Sequence, residues 1–223
     1  MPSLKIGPKT RQRTDMNEPI RAPVITVARH RIHTDGQGVT SLVGFHGCPL
    51  RCKWCLNPFS FAPDTKYTPM TPEMLYEKVK IDELYFLATG GGVTFGGGEP
   101  LLYANFLKQF RQICGDEWHL SAETSLAVPW ENVQTATQCI NSFIIDIKDT
   151  DPDIYHRYTG KENHLMMNNL EKLTKIIPPE RITVRLPLIP DFNSEAHRQK
   201  SFQILSARGL TQFDFLTYKK QPH

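Results

Sequence analysis

Residues 39–58 read VTSLVGFHGCPLRCKWCLNP, an apolar run followed by a group of cysteines. Its first part, Val39–Phe45, is a short apolar run that predicts a buried β-strand. Three of the five cysteines of the chain follow within eight residues, spaced C-x3-C-x2-C, at Cys48, Cys52 and Cys55. A strand that runs directly into a group of thiols indicates a sheet whose chemistry lies at the carboxyl ends of its strands.

The rest of the chain continues this rhythm of short strands and longer helices. The predicted strands are Val39–Phe45, Gly92–Phe95, His119–Glu123, Phe143–Lys148, Ile182–Leu188 and Phe213–Tyr218. The predicted helices are Pro72–Lys80, Tyr103–Ile113, Trp130–Cys139, Leu165–Ile176 and Glu195–Ala207. Each helix is long enough to cross between two parallel strands. Six such units predict an α/β fold with a parallel sheet, either doubly wound or curled into a partial (β/α)6 barrel.

The composition is that of an ordinary globular protein. Of 223 residues, 39% are hydrophobic and 22% are charged, and the net charge of +3 is too small to indicate a nucleic-acid partner. The sequence has no apolar run of about 18 residues and no apolar segment near its start that resembles a secretory signal. We therefore expect a cytoplasmic protein with no membrane partner.

The start of the chain differs in composition from the rest. Before Asp35 there are seven Lys or Arg residues against two acidic ones, and four prolines interrupt any periodic pattern. This composition predicts a flexible basic N-terminal tail over residues 1–23 and a single domain over residues 24–223.

The cysteine triple has three possible explanations. Three thiolates on a short loop can bind three corners of a cubane iron–sulfur cluster and leave the fourth iron open. A structural zinc site needs a fourth ligand, and none stands at ordinary zinc spacing downstream. Buried, inert thiols are the third alternative. The spacing favours the cluster, and the neighbouring Arg51 and Lys53 are expected to lower the thiol pKa values.

A second motif gives the triple a context. Trp54 precedes the last cysteine, and a Gly-Gly-Glu-Pro turn occupies Gly97–Pro100. Together these features resemble the radical S-adenosylmethionine superfamily. Three further runs, at residues 35–38 (DGQG), 47–55 (GCPLRCKWC) and 90–95 (GGGVTF), resemble its glycyl-radical-enzyme activating enzymes, the group that includes the pyruvate formate-lyase activator. The resemblance spans about residues 30–219.

The resemblance implies a partial barrel with two cofactors. The triple would bind a [4Fe-4S] cluster, whose open iron would be chelated by S-adenosylmethionine. One electron, from a donor such as flavodoxin or ferredoxin, would cleave the sulfonium bond and give a 5′-deoxyadenosyl radical. That radical would take a hydrogen atom from a glycine of a partner glycyl radical enzyme. Residues 56–91 contain no cysteine, so no inserted ferredoxin-like domain is expected.

The resemblance also implies a set of cofactor contacts. Besides the cysteines, these are Trp54, Gly97, Gly98, Glu99, Glu123, Asp146, Lys148 and Arg185. Glu99 is expected to accept a hydrogen bond from an ammonium group. No side chain is assigned as a catalytic acid or base, because the cofactors supply the reactivity. The alternatives are purely structural roles: a plain turn for the glycines, an ion pair for Asp146 and Lys148, and a structural cation for Arg185.

Other functions stay open at this point. Within enzymes, the alternatives are an activator of anaerobic ribonucleotide reductase and a small-molecule radical enzyme on the same barrel. Outside enzymes, the alternative is an interaction module in which the triple holds a structural metal. Tyr218-Lys219 replaces a Tyr-His pair common in the family, so no histidine contact to the adenine is expected.

Overall fold

The computed structural model describes residues 19–32 and 34–218, which are built around one eight-stranded sheet. The strands are β1 (Ala22–Ile32), β2 (Val39–Phe45), β3 (Thr68–Met70), β4 (Gly92–Gly97), β5 (His119–Thr124), β6 (Ser142–Asp146), β7 (Ile182–Leu188) and β8 (Gln212–Thr217). Their spatial order is β3-β1-β2-β4-β5-β6-β7-β8.

Six of these strands form the predicted parallel sheet. Strands β2, β4, β5, β6, β7 and β8 lie side by side in chain order, each parallel to the next. Strand β1 is antiparallel to both β2 and β3 and extends the sheet beyond β2. Because β3 and β8 are the two edges, the sheet is not closed, and the partial barrel is confirmed.

In the described part of the chain, seven α-helices connect the strands. They are α1 (Pro72–Val79), α2 (Glu83–Thr89), α3 (Ala104–Cys114), α4 (Trp130–Thr137), α5 (Pro152–Thr159), α6 (His164–Leu173) and α7 (Glu195–Ser206). Local sequence sets their ends. Thr71 caps α1 by accepting from the Met74 amide, and Asp151 caps α5 in the same way. Gly160, with φ +72°, ends α5 in the left-handed conformation.

The two faces of the sheet have different chemistry because strand side chains alternate. The positions facing the helices are apolar and fully buried, as at Phe95, Leu120 and Ile145. The alternate positions include the polar residues Glu123 and Asp146. The helices therefore bury the core on one side and leave a polar face on the other.

A short loop at residues 34–38 covers the amino end of this polar face. The Thr94 hydroxyl donates to the Asp35 carbonyl, and the Asp35 carboxylate pairs with Arg31. Gly36 and Gly38 both have positive φ angles. A Cβ atom at Gly38 would lie 2.5 Å from the Thr89 carbonyl oxygen, so the loop requires glycine there.

Several elements were not predicted from the sequence. Strands β1 and β3 and helices α2 and α5 are absent from the predicted set, whereas β2 and β7 have the predicted bounds. Residues 1–18 of the predicted tail lie outside the described residues, and its last two residues, Ala22 and Pro23, belong to β1. No helix in the described part of the chain is both long enough and apolar enough to span a membrane.

Candidate functional site

A cavity opens at the carboxyl ends of the parallel strands. It is lined by Cys48, Leu50, Cys52, Trp54, Cys55, Leu56, Asn57, Gly97, Gly98, Glu99, Glu123, Thr124, Ser125, Asp146, Lys148, Tyr158, Arg185 and Tyr218. All eleven residues that the sequence assigned to metal or cofactor binding are in this set. The structure thus brings together, from these eleven residues, the cysteine loop and residues on or just beyond the strands β4, β5, β6 and β7.

The cysteine loop, residues 46–57, follows β2. Backbone hydrogen bonds from the glycine turn at residues 97–100 hold it in place. The Gly98 amide donates to the Phe45 carbonyl at 2.9 Å, and the Glu99 amide donates to the Gly47 carbonyl at 2.8 Å. A Cβ atom at Gly98 would lie 2.1 Å from that Gly47 oxygen. The glycine is required because two backbone segments meet there without room for a side chain.

The carboxyl end of α5 fixes the other side of the loop. The Lys53 amide donates to the Tyr158 carbonyl at 3.0 Å, and the Arg51 amide donates to the Thr159 carbonyl at 2.9 Å. These carbonyls belong to the last turn of the helix, where they have no partner within the helix. The helix that the sequence patterns missed therefore positions the backbone on both sides of Cys52.

The three thiols are free and partly exposed. Burial raises the pKa of the Cys48 thiol to about 12 and that of the Cys52 thiol to about 11, and it also raises the pKa of Cys55. The expectation that Arg51 and Lys53 lower these values is wrong. Arg51 instead donates to the Cys48 and Leu50 carbonyls. The cation that opposes the effect of burial at Cys52 is Lys148.

The arrangement of the thiols bears on which group they can hold. Among the described residues, no three His, Cys, Asp or Glu side chains converge on a point that would suit a single metal ion. A cubane places each coordinated iron at a separate corner, so its three thiolates bind three different atoms. Three thiols around one cavity fit that requirement.

Glu99 lies in the wall of the cavity, and its side chain is occupied by protein donors. Its carboxylate accepts from the Thr124 hydroxyl at 2.7 Å, the Ser125 amide at 2.8 Å, the Ser125 hydroxyl at 2.6 Å and the Leu101 amide at 3.2 Å. Burial raises the pKa of Glu99. Four donors use the acceptor positions of a carboxylate. The side chain therefore joins the ends of β4 and β5, and the predicted contact to an ammonium stays a prediction.

Lys148 and Asp146 form an ion pair just beyond β6. The Lys148 ammonium lies 2.5 Å from Asp146 Oδ2 and donates to the Tyr218 hydroxyl at 2.7 Å. Burial opposes the charge on Lys148, but Asp146 and Tyr218 outweigh this effect and raise its pKa well above the ordinary value. The second carboxylate oxygen, Asp146 Oδ1, is buried and has no donor among the described residues. A ligand hydroxyl or amine would satisfy it.

Arg185, on β7, connects β5 and β8 across the polar face. Its guanidinium lies 3.2 Å from Glu123 Oε1 and 3.0 Å from Asp214 Oδ2. Burial raises the pKa of Glu123, and Arg185 acts in the opposite direction. The contact between Arg185 and Asp214, from β7 to β8, fits the predicted alternative of a structural cation, although Arg185 also lines the cavity.

Sequence reasoning missed several cavity residues. Tyr158 and Tyr218 pack together with Ile189 against Cys52 and Trp54, and they form a small apolar cluster separate from the main core. Tyr158 also donates to the Trp54 carbonyl at 3.2 Å. The signal for Tyr158 was local: Asp151-Pro152 and Gly160 mark the two ends of a short helix.

Known proteins resemble this chain in sequence and in fold. A sequence model of the Radical SAM superfamily matches residues 42–199. The chain is 29% identical to a (2S)-3-sulfopropanediol dehydratase activating enzyme of Klebsiella oxytoca, over 81% of this chain and 75% of that protein. It is 32% identical to the pyruvate formate-lyase-activating enzyme of Staphylococcus aureus, over 72% and 66%. The fold is similar to Streptococcus suis SuiB bound to S-adenosylmethionine, with a TM-score of 0.61, 12% identity and coverage of 81% and 42%.

Proposed function

Because the chain belongs to the radical SAM superfamily, we propose that it is an activating enzyme that installs a glycyl radical on a partner enzyme. The observation that carries the proposal is the similarity over most of the chain to activating enzymes, at 29% and 32% identity. The gathering of all the predicted site residues around one cavity supports it.

The cavity offers a place for both cofactors. Cys48, Cys52 and Cys55 would hold a [4Fe-4S] cluster, and the glycine turn with the polar strand ends would hold S-adenosylmethionine. When bound, these groups supply a one-electron cleavage that yields methionine and a radical able to take a hydrogen atom from a glycine. The protein contributes position and shielding rather than acid–base catalysis.

Each part of the cavity has a separate task in this proposal. Glu99 keeps the ends of β4 and β5 at a fixed spacing, because its four accepted bonds link the glycine turn to Thr124 and Ser125. Asp146 presents Oδ1 to a donor group of the ligand while Oδ2 is occupied by Lys148. Tyr158 and Tyr218 exclude water from the side of the cavity next to Cys52.

Two other radical enzymes remain as second candidates: an activator of anaerobic ribonucleotide reductase and an enzyme acting on a small metabolite. The similarity to named activating enzymes favours a protein substrate over a small metabolite. The electron would come from a carrier such as flavodoxin or ferredoxin.

The deciding experiment is anaerobic reconstitution followed by electron paramagnetic resonance. The reduced protein is mixed with S-adenosylmethionine and, in turn, with candidate glycyl radical enzymes. We expect formation of 5′-deoxyadenosine together with a doublet signal from a glycyl radical on one partner. Replacement of the partner's radical glycine by alanine is the matched control and should abolish the doublet.

Two results would contradict the proposal. A colourless protein that binds zinc in place of iron would support the structural-metal alternative. A protein that cleaves S-adenosylmethionine but gives no radical on any glycyl radical enzyme, while modifying a small molecule, would support the metabolite alternative.

A further inference from the structure

The outer side of the cysteine loop carries a basic surface patch that the proposed cofactor site does not use. We define it by its exposed cations, which are Arg51, Lys53, Arg157 and Lys161. The first two flank Cys52 in the sequence, and the other two lie on and just beyond the last turn of α5.

Backbone contacts hold the two halves of the patch together. The amides of Arg51 and Lys53 donate to carbonyls of the last turn of α5 at 2.9 and 3.0 Å. A Cβ atom at Gly160 would lie 4.0 Å from the Arg51 Cβ, which shows how closely the segments pack. Lys161 follows Gly160 directly in the chain. The four cations therefore stand on two segments that contact each other.

The patch keeps a net positive charge. Neither Lys53 nor Lys161 forms a side-chain hydrogen bond or ion pair with any residue that the structure describes. Arg51 and Arg157 donate to backbone carbonyls. Two acidic residues lie beside the patch, Glu162 next to Lys161 in the chain and Asp191 next to Phe192, whose carbonyl accepts from Arg157. The four cations exceed these two acids.

The position of the patch relative to Cys52 suggests its use. The Cys52 thiol lines the cavity, whereas Arg51 and Lys53 on either side of it are exposed and are not among the lining residues. A protein bound to the patch thus contacts the residues that flank Cys52 in the chain. Resting on the proposed function, we infer that the patch is the docking surface for an acidic one-electron carrier protein, of the flavin or iron–sulfur class.

The proposed step transfers a single electron. One electron leaves the reduced carrier and enters the cluster, so the carrier is oxidised by one electron and the cluster is reduced by one. No covalent bond forms between the proteins. Complexes for electron transfer are small and short-lived, and charge complementarity sets their rate of association. Four cations on one loop and one helix end suit such a complex.

The test uses the reconstituted holoprotein and a flavodoxin of net negative charge. Titration calorimetry with oxidised flavodoxin gives Kd at several ionic strengths, and stopped-flow absorbance with the hydroquinone form gives the rate of cluster reduction. In the double variant Lys53→Glu and Lys161→Glu, we expect Kd to rise about tenfold at low ionic strength. The salt dependence of binding should weaken at the same time.

A matched control changes the same net charge elsewhere. Lys78→Glu combined with Lys108→Glu reverses two exposed cations on α1 and α3, which lie on the helix-covered side of the sheet. We expect this variant to bind flavodoxin with less than a twofold change. Equal loss of binding in both double variants would overturn the inference, because it would show a response to net charge alone. Unchanged binding in the variant with Lys53 and Lys161 reversed would also overturn it.

Reduction with dithionite separates this inference from the proposed function. Dithionite is a small chemical reductant that needs no docking surface, so the Lys53 and Lys161 variant should still cleave S-adenosylmethionine with it. Failure of the unaltered protein to do so would count against the proposed function. A variant that binds flavodoxin normally but loses affinity for a glycyl radical enzyme would overturn the docking assignment and give the patch to that partner.

Discussion

Lys148 shows how a single buried charge depends on its partners. Its ammonium is held by Asp146 at 2.5 Å and by the Tyr218 hydroxyl at 2.7 Å. In Lys148→Met, Asp146 Oδ2 loses its cation. Asp146 Oδ1 already lacks a donor, so the carboxylate is left without compensation for burial. Because an unpaired buried charge is costly, we expect a loss of about 2–3 kcal/mol in the free energy of unfolding. Urea denaturation measures this loss.

The double variant Asp146→Asn with Lys148→Met is the control. It removes both charges and should lose less stability than Lys148→Met alone. Both should retain iron after reconstitution, because the cysteine loop is untouched, and both should bind S-adenosylmethionine more weakly. If the single and double variants are equally stable, the ion pair is not the cause of the effect.

Cys52 separates the role of the thiol in metal binding from its role in packing. It is one of three thiols around the cavity, and it also touches the small apolar cluster that contains Tyr158 and Tyr218. We expect Cys52→Ala to abolish retention of the iron–sulfur cluster while changing stability by no more than about 1 kcal/mol. Iron analysis and thermal unfolding under anaerobic conditions measure the two effects.

Cys139→Ala is the comparison for that variant. Cys139 is buried in the main core beside Ile140, away from the cavity. This variant should lose a similar amount of stability and keep its full iron content. Loss of iron in both variants would indicate a general effect of weakened folding rather than loss of a ligand.

Among the elements, β1 and β3 are the two strands that the sequence did not predict, whereas the edge strand β8 was predicted to within one residue at each end. Strand β1 was missed because Pro23 and several basic residues interrupt its pattern. The structure accommodates Pro23 because it lies opposite Pro69 of the edge strand β3, and its carbonyl still accepts from the His46 amide at 2.8 Å. Helix α2 was missed because Leu84, Tyr85 and Leu87 are exposed and give no apolar stripe on one face.

Two glycines next to the cysteine loop are predicted to differ sharply in their tolerance of a methyl group. At Gly160 the added Cβ meets nothing closer than 4.0 Å, so Gly160→Ala pays only for the left-handed φ of +72°, about 1 kcal/mol. At Gly98 the Cβ would lie 2.1 Å from the Gly47 carbonyl oxygen. We expect Gly98→Ala to lose at least about 3 kcal/mol and to retain little iron.

Denaturation and iron content of the two glycine variants check this prediction together. Each adds one methyl group to the same region, so size and polarity are matched. If Gly160→Ala is the more damaging of the two, backbone strain at the end of α5 matters more than close packing under the loop.

At the scale of the whole molecule, the sheet itself assembles the site. The eleven residues that the sequence assigned to a cofactor site all line one cavity, because the carboxyl ends of parallel strands meet at one edge. The sequence did not predict their partners. Asp214 and Tyr218 come from β8 and its end, and they reach Arg185 on β7 and Lys148 beyond β6. Such pairs depend on register and curvature, which periodicity does not reveal.

The stability of the whole fold should depend on acid through Asp82, which lies far from the cavity. This carboxylate is fully buried and accepts from Arg29 at 2.7 and 2.5 Å and from Ser41 at 3.0 Å, and it lies 3.0 Å from the His30 ring. The hydrogen bonds from Arg29 are the largest cause that lowers the pKa of Asp82 below its ordinary value of 3.8. The charged form is therefore the one that stabilises the fold.

The sign of the pH dependence follows from that lowered pKa. As the pH falls, the unfolded chain takes up a proton on Asp82 before the folded chain does. The stabilisation is therefore complete above pH 3.8 and is lost as the pH falls through the lower, folded-state value.

At neutral pH we expect Asp82→Asn to lower the free energy of unfolding by about 2 kcal/mol, and this difference from the unaltered protein should shrink toward about pH 3. Urea denaturation across this range measures it. Glu117→Gln, which alters a solvent-exposed carboxylate, should leave the curve unchanged. A constant difference between Asp82→Asn and the unaltered protein at every pH would show that Asp82 stabilises the fold by shape and not by charge.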